Sequence, residues 1–310
     1  MEYKYLGKTQ LKVSSFGFGC VQFGMHQWGD VSEAELGKAV LTAFDKGVTF
    51  FDTADVYGLG KSEENLQKYL GKKIKDVVIA SKFGVRIING KTVYDNSPTW
   101  IRQAVEASLS RLNKDCIDLY QVHYWDGNTP FEIVVECLEK LVEEGKIRYY
   151  GVTNIPDTIL EAEINRPNFS SFSFQYSLAN RTSETTIKKI KSQGLGFLSW
   201  GSLGEGILSG KYRTVPNFSE NDRRHRQVYE NFRGENFQKN MLIVNELERI
   251  SEFYQGKTIP QIAIRWILDY LDAEVVLVGV KSEQQLLDNL GAFNWKLQPE
   301  HIHSLDKISK

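Results

Sequence analysis

Val48-Thr49-Phe50-Phe51-Asp52-Thr53-Ala54-Asp55-Val56-Tyr57-Gly58 opens with a short apolar run and delivers an acid at the point where the run stops. Two later stretches do the same. Val77 to Ala80 runs into Ser81 and Lys82, and Ile117 to Val122 runs into His123. Four to six residues rich in β-branched and aromatic side chains read as buried strands. In a chain that alternates strands with helices, the C-terminal ends of the parallel strands open on one face. Asp52, Lys82, His123 and the nearby Tyr57 therefore share one mouth, and an acid, an amine, an imidazole and a phenol gathered there point to proton-transfer chemistry.

The alternation extends in both directions from these stretches. A strand is expected over 15–19, followed by a helix over 32–46 with Ala34, Leu36, Val40, Leu41 and Phe44 on one face. The next strand and helix pairs are 49–52 with 63–70, 77–82 with 98–112, and 117–123 with 131–144. Ser97 before Pro98 reads as a helix cap. Further strands are expected over 149–153, 173–176, 196–200 and 274–280. Helices are expected over 156–164, 184–193, 235–254, 259–270, 283–290 and 299–308. Eight strands in strict alternation favour a closed (β/α)8 TIM barrel of the α/β class over an open sheet. Residues 3–13 alternate polar and apolar around a turn and read as an N-terminal β-hairpin plugging the barrel bottom, and the last helices are C-terminal additions. One domain spanning 1–310 is expected, because barrels of this kind fill such a length as a single unit. The irregular stretch 201–234, with Arg213, Arg223, Arg224, His225, Arg226 and Arg233, reads as a lid, or as a solvated charged excursion.

Composition excludes several classes of function. With 38 basic and 39 acidic residues the formal net charge is −1, so nothing drives the chain toward nucleic acid or an anionic membrane surface. Cys20, Cys116 and Cys137 show no CxxC spacing, which argues against a disulfide framework or a metal site, and His301 and His303 read as surface residues. No run of about 18 apolar residues and no secretory h-region is present, so a cytoplasmic protein is expected.

A phenol is a poor acid at neutral pH, with an ordinary pKa of about 10, so Tyr57 needs a neighbour that stabilises its phenolate. Lys82 supplies such a charge and is expected to lower the Tyr57 pKa, with Asp52 holding Lys82 protonated and His123 binding a substrate oxygen. Taken one at a time, the same residues read as a turn cap, a solvated lysine, a core histidine and a rim aromatic.

Phe51 to Gly58 with Lys61-Ser62-Glu63, then Ser81-Lys82, then Asp118-Leu119-Tyr120-Gln121-Val122-His123 resembles the active-site series of the aldo-keto reductases, in order and spacing and over nearly the whole chain. The resemblance implies a barrel that binds a nicotinamide dinucleotide without a Rossmann domain. It makes Tyr57 the general acid, Lys82 and Asp52 its tuning pair and His123 the residue orienting the carbonyl. It also assigns Thr153, Asn154 and Gln175 to the nicotinamide carboxamide, and Trp200, where tyrosine is more common, to a ring stacked on the nicotinamide. Ser202, Leu203, Gly206 and Lys211 fall to the diphosphate, with Glu205 pointing away. Gly279, Lys281, Ser282, Gln285 and Asn289 fall to the adenosine end. Lys281 and Ser282 suit a 2′-phosphate, so NADPH/NADP is expected, with NAD admitted because Gln285 stands where arginine is frequent. A GxGxxG fingerprint after the first strand fails, since Gly17 and Gly19 are followed by Gln22.

By position after strands, the pocket wall is expected to include Cys20, Val21, Trp28, Val56, Phe83, Tyr124 and Trp125, an aromatic cleft suited to a hydrophobic or planar carbonyl compound. The expected activity is NADPH-dependent reduction of a small-molecule aldehyde or ketone. The alternatives are a lyase using Lys82 as a Schiff-base nucleophile and a cofactor-binding regulatory subunit with slow turnover. The oligomeric state stays open.

Overall fold

The computed structural model describes residues 1–25, 28–29 and 31–310, apart from the side chains of 157 and 161. Strands β1 (Tyr3–Tyr5) and β2 (Lys12–Ser14) pair antiparallel as the N-terminal hairpin. Next come β3 (Phe16–Gly19), β4 (Phe50–Asp52) and β5 (Val78–Phe83), then an outlying hairpin of β6 (Val85–Ile88) and β7 (Lys91–Tyr94). Strands β8 (Ile117–Val122), β9 (Ile147–Thr153), β10 (Phe169–Gln175), β11 (Gly196–Trp200) and β12 (Val275–Gly279) follow. Among the described residues eight parallel strands close a barrel in the order β3-β4-β5-β8-β9-β10-β11-β12. This is the (β/α)8 architecture that the alternation predicts.

Helices α1 (Glu33–Asp45), α2 (Lys61–Leu70), α3 (Pro98–Leu112), α4 (Phe131–Glu143), α5 (Asp157–Glu163) and α6 (Glu184–Lys191) return the chain between strands, and α7 (Gly234–Ser251) and α8 (Ile259–Leu271) precede β12. Helices α9 (Glu283–Leu290) and α10 (Pro299–Ile308) follow it. Their starts are written in local chemistry. Ser32, Ser97 and Ser282 each accept a backbone N–H in the first turn of the helix they precede, and Thr258 and Gln261 form a reciprocal capping box.

Side chains alternate across each strand, so the barrel has an inner and an outer core. Phe50, Val78, Ala80, Leu119, Leu198, Val275 and Leu277 face inward and pack with Leu6, Leu11 and Val13 of the hairpin, which plugs the lower end as expected. Phe18, Phe51, Ile79, Tyr120, Val122 and Val276 belong to the outer core between sheet and helices. Counting in twos from the inward residues reaches the mouth. Phe50 leads to Asp52, Ala80 to Lys82, Leu119 to Gln121 and His123, Leu198 to Trp200, and Leu277 to Gly279. The parallel register aligns these ends, with Gly19 beside Asp52 and Lys82 beside Gln121.

Three local expectations need correction. Strand β10 begins at Phe169, four residues before the expected 173, because Phe169 and Phe172 fill the outer core while small serines occupy the intervening positions. The β6/β7 hairpin was unanticipated although Asn89-Gly90, both at positive φ, is a strong two-residue turn signal. The stretch 201–234 is not irregular throughout but holds 3-10 turns at Gly204–Ser209, Arg223–His225 and Glu230–Phe232. Among the described residues no helix is long and apolar enough to cross a membrane, no cluster of metal-ligating side chains occurs, and all three cysteines are free.

Because Leu6 sits fully buried at the closed end, Leu6→Ala is expected to cost about 2–5 kcal/mol of stability in urea unfolding while leaving turnover at the opposite mouth unchanged. An equal loss of turnover per folded molecule would contradict the plug assignment.

Candidate active site

Lys82 and Asp52 lie 4% and 5% exposed at the barrel mouth. The Lys82 ammonium donates to both Asp52 carboxylate oxygens at 2.7 Å and to the Thr53 carbonyl at 2.9 Å. Burial works against the charge, but the charge of Asp52 and its hydrogen bonds outweigh it and hold the Lys82 pKa above the ordinary lysine value. The Lys82 nitrogen stands 5.3 Å from the centroid of the Tyr57 ring. Tyr57 in turn meets the His123 ring edge to face at 5.7 Å between centroids. The four residues singled out in the sequence thus converge.

Their electrostatics differ from expectation in one respect. Burial dominates the Tyr57 phenol and pushes it up to about 12, while Lys82 pulls it the other way. Lys82 therefore offsets a desolvation penalty and does not bring the phenol below its ordinary value. For His123, burial and then the Lys82 charge hold the pKa well below the usual histidine range, so the ring is neutral. Its Nδ1 is sealed from solvent without a partner among the described residues, while its backbone is fixed by the Phe83 carbonyl at 2.8 Å and by the Thr153 hydroxyl. A neutral imidazole and a protonated phenol facing one cleft can both hydrogen-bond a substrate oxygen.

The Tyr57 turn is braced from beneath. Gly58 has φ +61° and lies so close to the Gly24 backbone that a Cβ would overlap it, so glycine is required there. Below the turn, the fully buried Glu63 accepts from the Ser81 hydroxyl at 2.5 Å and from Arg111 Nε at 2.6 Å. Asp55 Oδ1 beside them has no protein partner, and burial followed by the Glu63 charge pushes the Asp55 carboxyl up to about 8. Sequence reasoning passed over Asp55 and Arg111. Asp55 was visible as a second acid within the Asp52 to Tyr57 turn.

The residues assigned to the cofactor line an arc from β9 to α9. Trp200 Nε1 donates to Asn154 Oδ1 at 3.1 Å, and Asn154 Nδ2 to Thr153 Oγ1 at 3.3 Å, so these three form one unit. The Gln175 amide donates to Glu205 Oε1 at 2.6 Å, and Asn231 binds the other oxygen, which turns Glu205 toward Gln175. The Ser202 hydroxyl is turned inward onto the Leu277 and Ser199 carbonyls, contrary to a side-chain role at a diphosphate, which leaves its backbone for that contact. Gly201, Gly204, Gly206 and Gly210 all take positive φ, giving a bare cradle beside Leu203, with the exposed Lys211 at its end. Gly279 ends β12, and the Lys281 ammonium reaches the Trp28 carbonyl. Gln285 holds the Lys281 N–H through its side-chain oxygen at 2.8 Å, Ser282 caps α9, and Asn289 is buried within it. A glycine-lined cradle, two lysines and a capped helix N-terminus form a donor set that fits a dinucleotide.

The substrate wall needs two corrections. Phe83 is fully buried and stacked on Tyr120 at 4.9 Å, and Cys20 is fully buried with its thiol toward the Phe18 carbonyl, so both are core and not pocket surface. Trp28, Val56, Tyr124 and Trp125 are partly exposed at this end, and Tyr124 stacks on His123 at 5.3 Å. The Trp125 indole is tied to the Thr129 carbonyl at 2.8 Å.

Comparison with known proteins identifies the family. The model of the Aldo/keto reductase family matches residues 15–310. The chain is 34% identical over 305 residues to the yakc aldo-keto reductase of Schizosaccharomyces pombe, whose name carries NADP(+), with 94% of this chain and 87% of that protein covered. It is 31% identical to the YhdN aldo-keto reductase of Bacillus subtilis, covering 99% and 93%. Among solved structures, a glycerol dehydrogenase from Gluconobacter oxydans superposes with TM-score 0.89 at 29% identity, covering 99% and 94%. The holo form of an aldo-keto reductase from Bacillus halodurans gives 0.83 at 27% identity, covering 100% and 97%.

Asp55 generates a stability prediction. Its folded pKa lies above its unfolded one, so the folded state holds the extra proton and the resulting stabilisation is complete below about pH 4. It is lost as pH rises through about 8. Unfolding free energies measured across that window are expected to fall with pH in the wild type relative to Asp55→Asn, and parallel curves would contradict the assignment.

Proposed function

The chain belongs to the aldo/keto reductase family, and we propose that it reduces an aldehyde or ketone to the alcohol with NADPH, Tyr57 supplying the proton. The observation that carries this reading is the buried Lys82 ammonium, held by Asp52 and Thr53 and facing the Tyr57 ring. A bound nicotinamide dinucleotide supplies the hydride. Thr153, Asn154, Gln175 and Trp200 would hold its nicotinamide end, Leu203, Gly206, the Ser202 backbone and Lys211 its diphosphate, and Gly279, Lys281, Ser282, Gln285 and Asn289 its adenosine end.

The chain's own residues handle the oxygen. Tyr57 and His123 both present donors to it, and the neutral state of His123 leaves Tyr57 as the group that gives up its proton as negative charge grows on that oxygen. The Lys82 charge stabilises the phenolate left behind. Lys82 itself is a poor candidate for a Schiff base, since its pairing with Asp52 keeps it charged. NADPH is favoured over NADH by Lys281 and Ser282, and the yakc relative carries NADP(+) in its name. The free cysteines and the lack of a spanning helix among the described residues suit a cytoplasmic setting.

Following absorbance of NADPH against a panel of aldehydes tests the proposal. Tyr57→Phe is expected to lower kcat by roughly 10²–10⁴-fold while the dissociation constant for NADPH stays within about twofold. Retention of turnover would overturn it. Reduction needs Tyr57 protonated, and its pKa is held at about 12. The reduction rate is therefore expected to stay level from neutral into mildly alkaline pH and to fall only toward that value, and a fall centred near neutrality would contradict Tyr57 as donor.

A further inference from the structure

Arg223 opens the 3-10 turn Arg223–His225, which reaches the barrel mouth because Trp28 and Asp222 form an antiparallel bridge and Gly29 N–H donates to the Asn221 carbonyl at 3.2 Å. Its guanidinium carbon lies 5.5 Å from the Trp28 ring centroid and 6.0 Å from that of Tyr229. Both faces hold a cation, and neither supplies a hydrogen-bond acceptor. Arg223 Nε and the Trp28 indole Nε1 are both sealed from solvent with no partner among the described residues. The adjacent carboxylate is not free for it. Asp222 accepts from Arg224 Nε at 2.9 Å and Nη2 at 2.5 Å, and among the described residues no other carboxylate pairs with Arg223.

The same charge is felt at the catalytic end of the cleft. The charges of Arg223 and Lys82 both act on the Tyr124 phenol, and Tyr124 stacks on His123, which meets Tyr57. Tyr94 packs against Tyr124 at 5.5 Å and extends the aromatic wall. An always-charged guanidinium that has given up water at Nε without gaining an acceptor is paired only when something anionic enters from the cleft. The turn also borders the residues assigned to the cofactor, since Lys281 reaches the Trp28 carbonyl and Arg224 the Glu205 carbonyl, so the NADPH affinity of Arg223 variants separates a substrate role from a cofactor role.

We propose that Arg223 determines substrate specificity by pairing with a carboxylate carried by the carbonyl compound, with the Trp28 indole N–H as a second donor. The inference rests on the reductase reading above and deepens it. The preferred substrate is then an aldehyde or ketone acid whose anionic group lies across an aromatic slot from the reacting carbon.

The test compares kcat/KM for para-carboxybenzaldehyde and its neutral methyl ester in wild type, Arg223→Met and Arg223→Lys with NADPH. Calorimetry of para-carboxybenzyl alcohol on the enzyme–NADP complex provides a binding arm. Wild type is expected to prefer the acid by roughly 10–100-fold, the span of one hydrogen bond to a charged group. Arg223→Met should abolish the preference while changing the ester by less than about threefold, and Arg223→Lys should restore part of it. Equal use of acid and ester by wild type overturns the proposal. So does an Arg223→Met variant that loses both substrates alike with weakened NADPH affinity, since that places the arginine at the cofactor. Should neither aldehyde be reduced, Arg223-dependent calorimetric binding of the acid upholds the carboxylate site while the reductase reading fails, and absence of that binding overturns both.

Discussion

The buried pair of Lys82 and Asp52 is the constraint on which the rest of the mouth depends. Two adjacent barrel strands, β4 and β5, present them at 2.7 Å, with Asp52 opposite Ala80 and Lys82 two residues further on, and neither has water to fall back on. Removing one partner of such a pair costs about 3–5 kcal/mol because the other charge is left buried, whereas an apolar replacement of both is often harmless. The pair is therefore not a stability device. Its effect is a fixed positive charge beside a phenol that burial alone would make too weak an acid to use.

Everything else at the mouth keeps that charge aimed. The period of two along each strand puts Asp52, Lys82 and His123 inside the barrel once Phe50, Ala80 and Leu119 are inside it. Tyr57 lies on a turn, and turns need other support. Gly58 against Gly24 sets its path, while Glu63, Ser81 and Arg111 lock the floor beneath it. At the outer edge the bridge between Trp28 and Asp222 carries the turn that sets Arg223 against the Trp28 ring.

Much of this was legible in the sequence, for a physical reason. Strand periodicity and the helix caps at Ser32, Ser97 and Ser282 are local signals, so the barrel and the convergence of Asp52, Tyr57, Lys82 and His123 could be read directly. What could not be read depends on contacts between distant segments. Phe83 and Cys20 follow strands like pocket residues, yet neighbouring helices and Tyr120 bury them. The direction of the Tyr57 shift turns on the balance of burial against one charge, which no spacing reveals. That Arg223 has no carboxylate partner among the described residues follows from Arg224 having taken Asp222, and two successive arginines look alike until the fold separates them.

The most direct measurement follows the ionisation of Lys82 itself. Lysine side-chain carbons can be labelled and titrated by NMR, with the Lys82 signal identified by its loss in Lys82→Met. The account predicts that this signal titrates above the ordinary lysine value in the wild type and drops below it in Asp52→Asn, where burial is no longer opposed. A Lys82 that titrates at or below the ordinary value in the wild type, or that ignores the loss of Asp52, would contradict it.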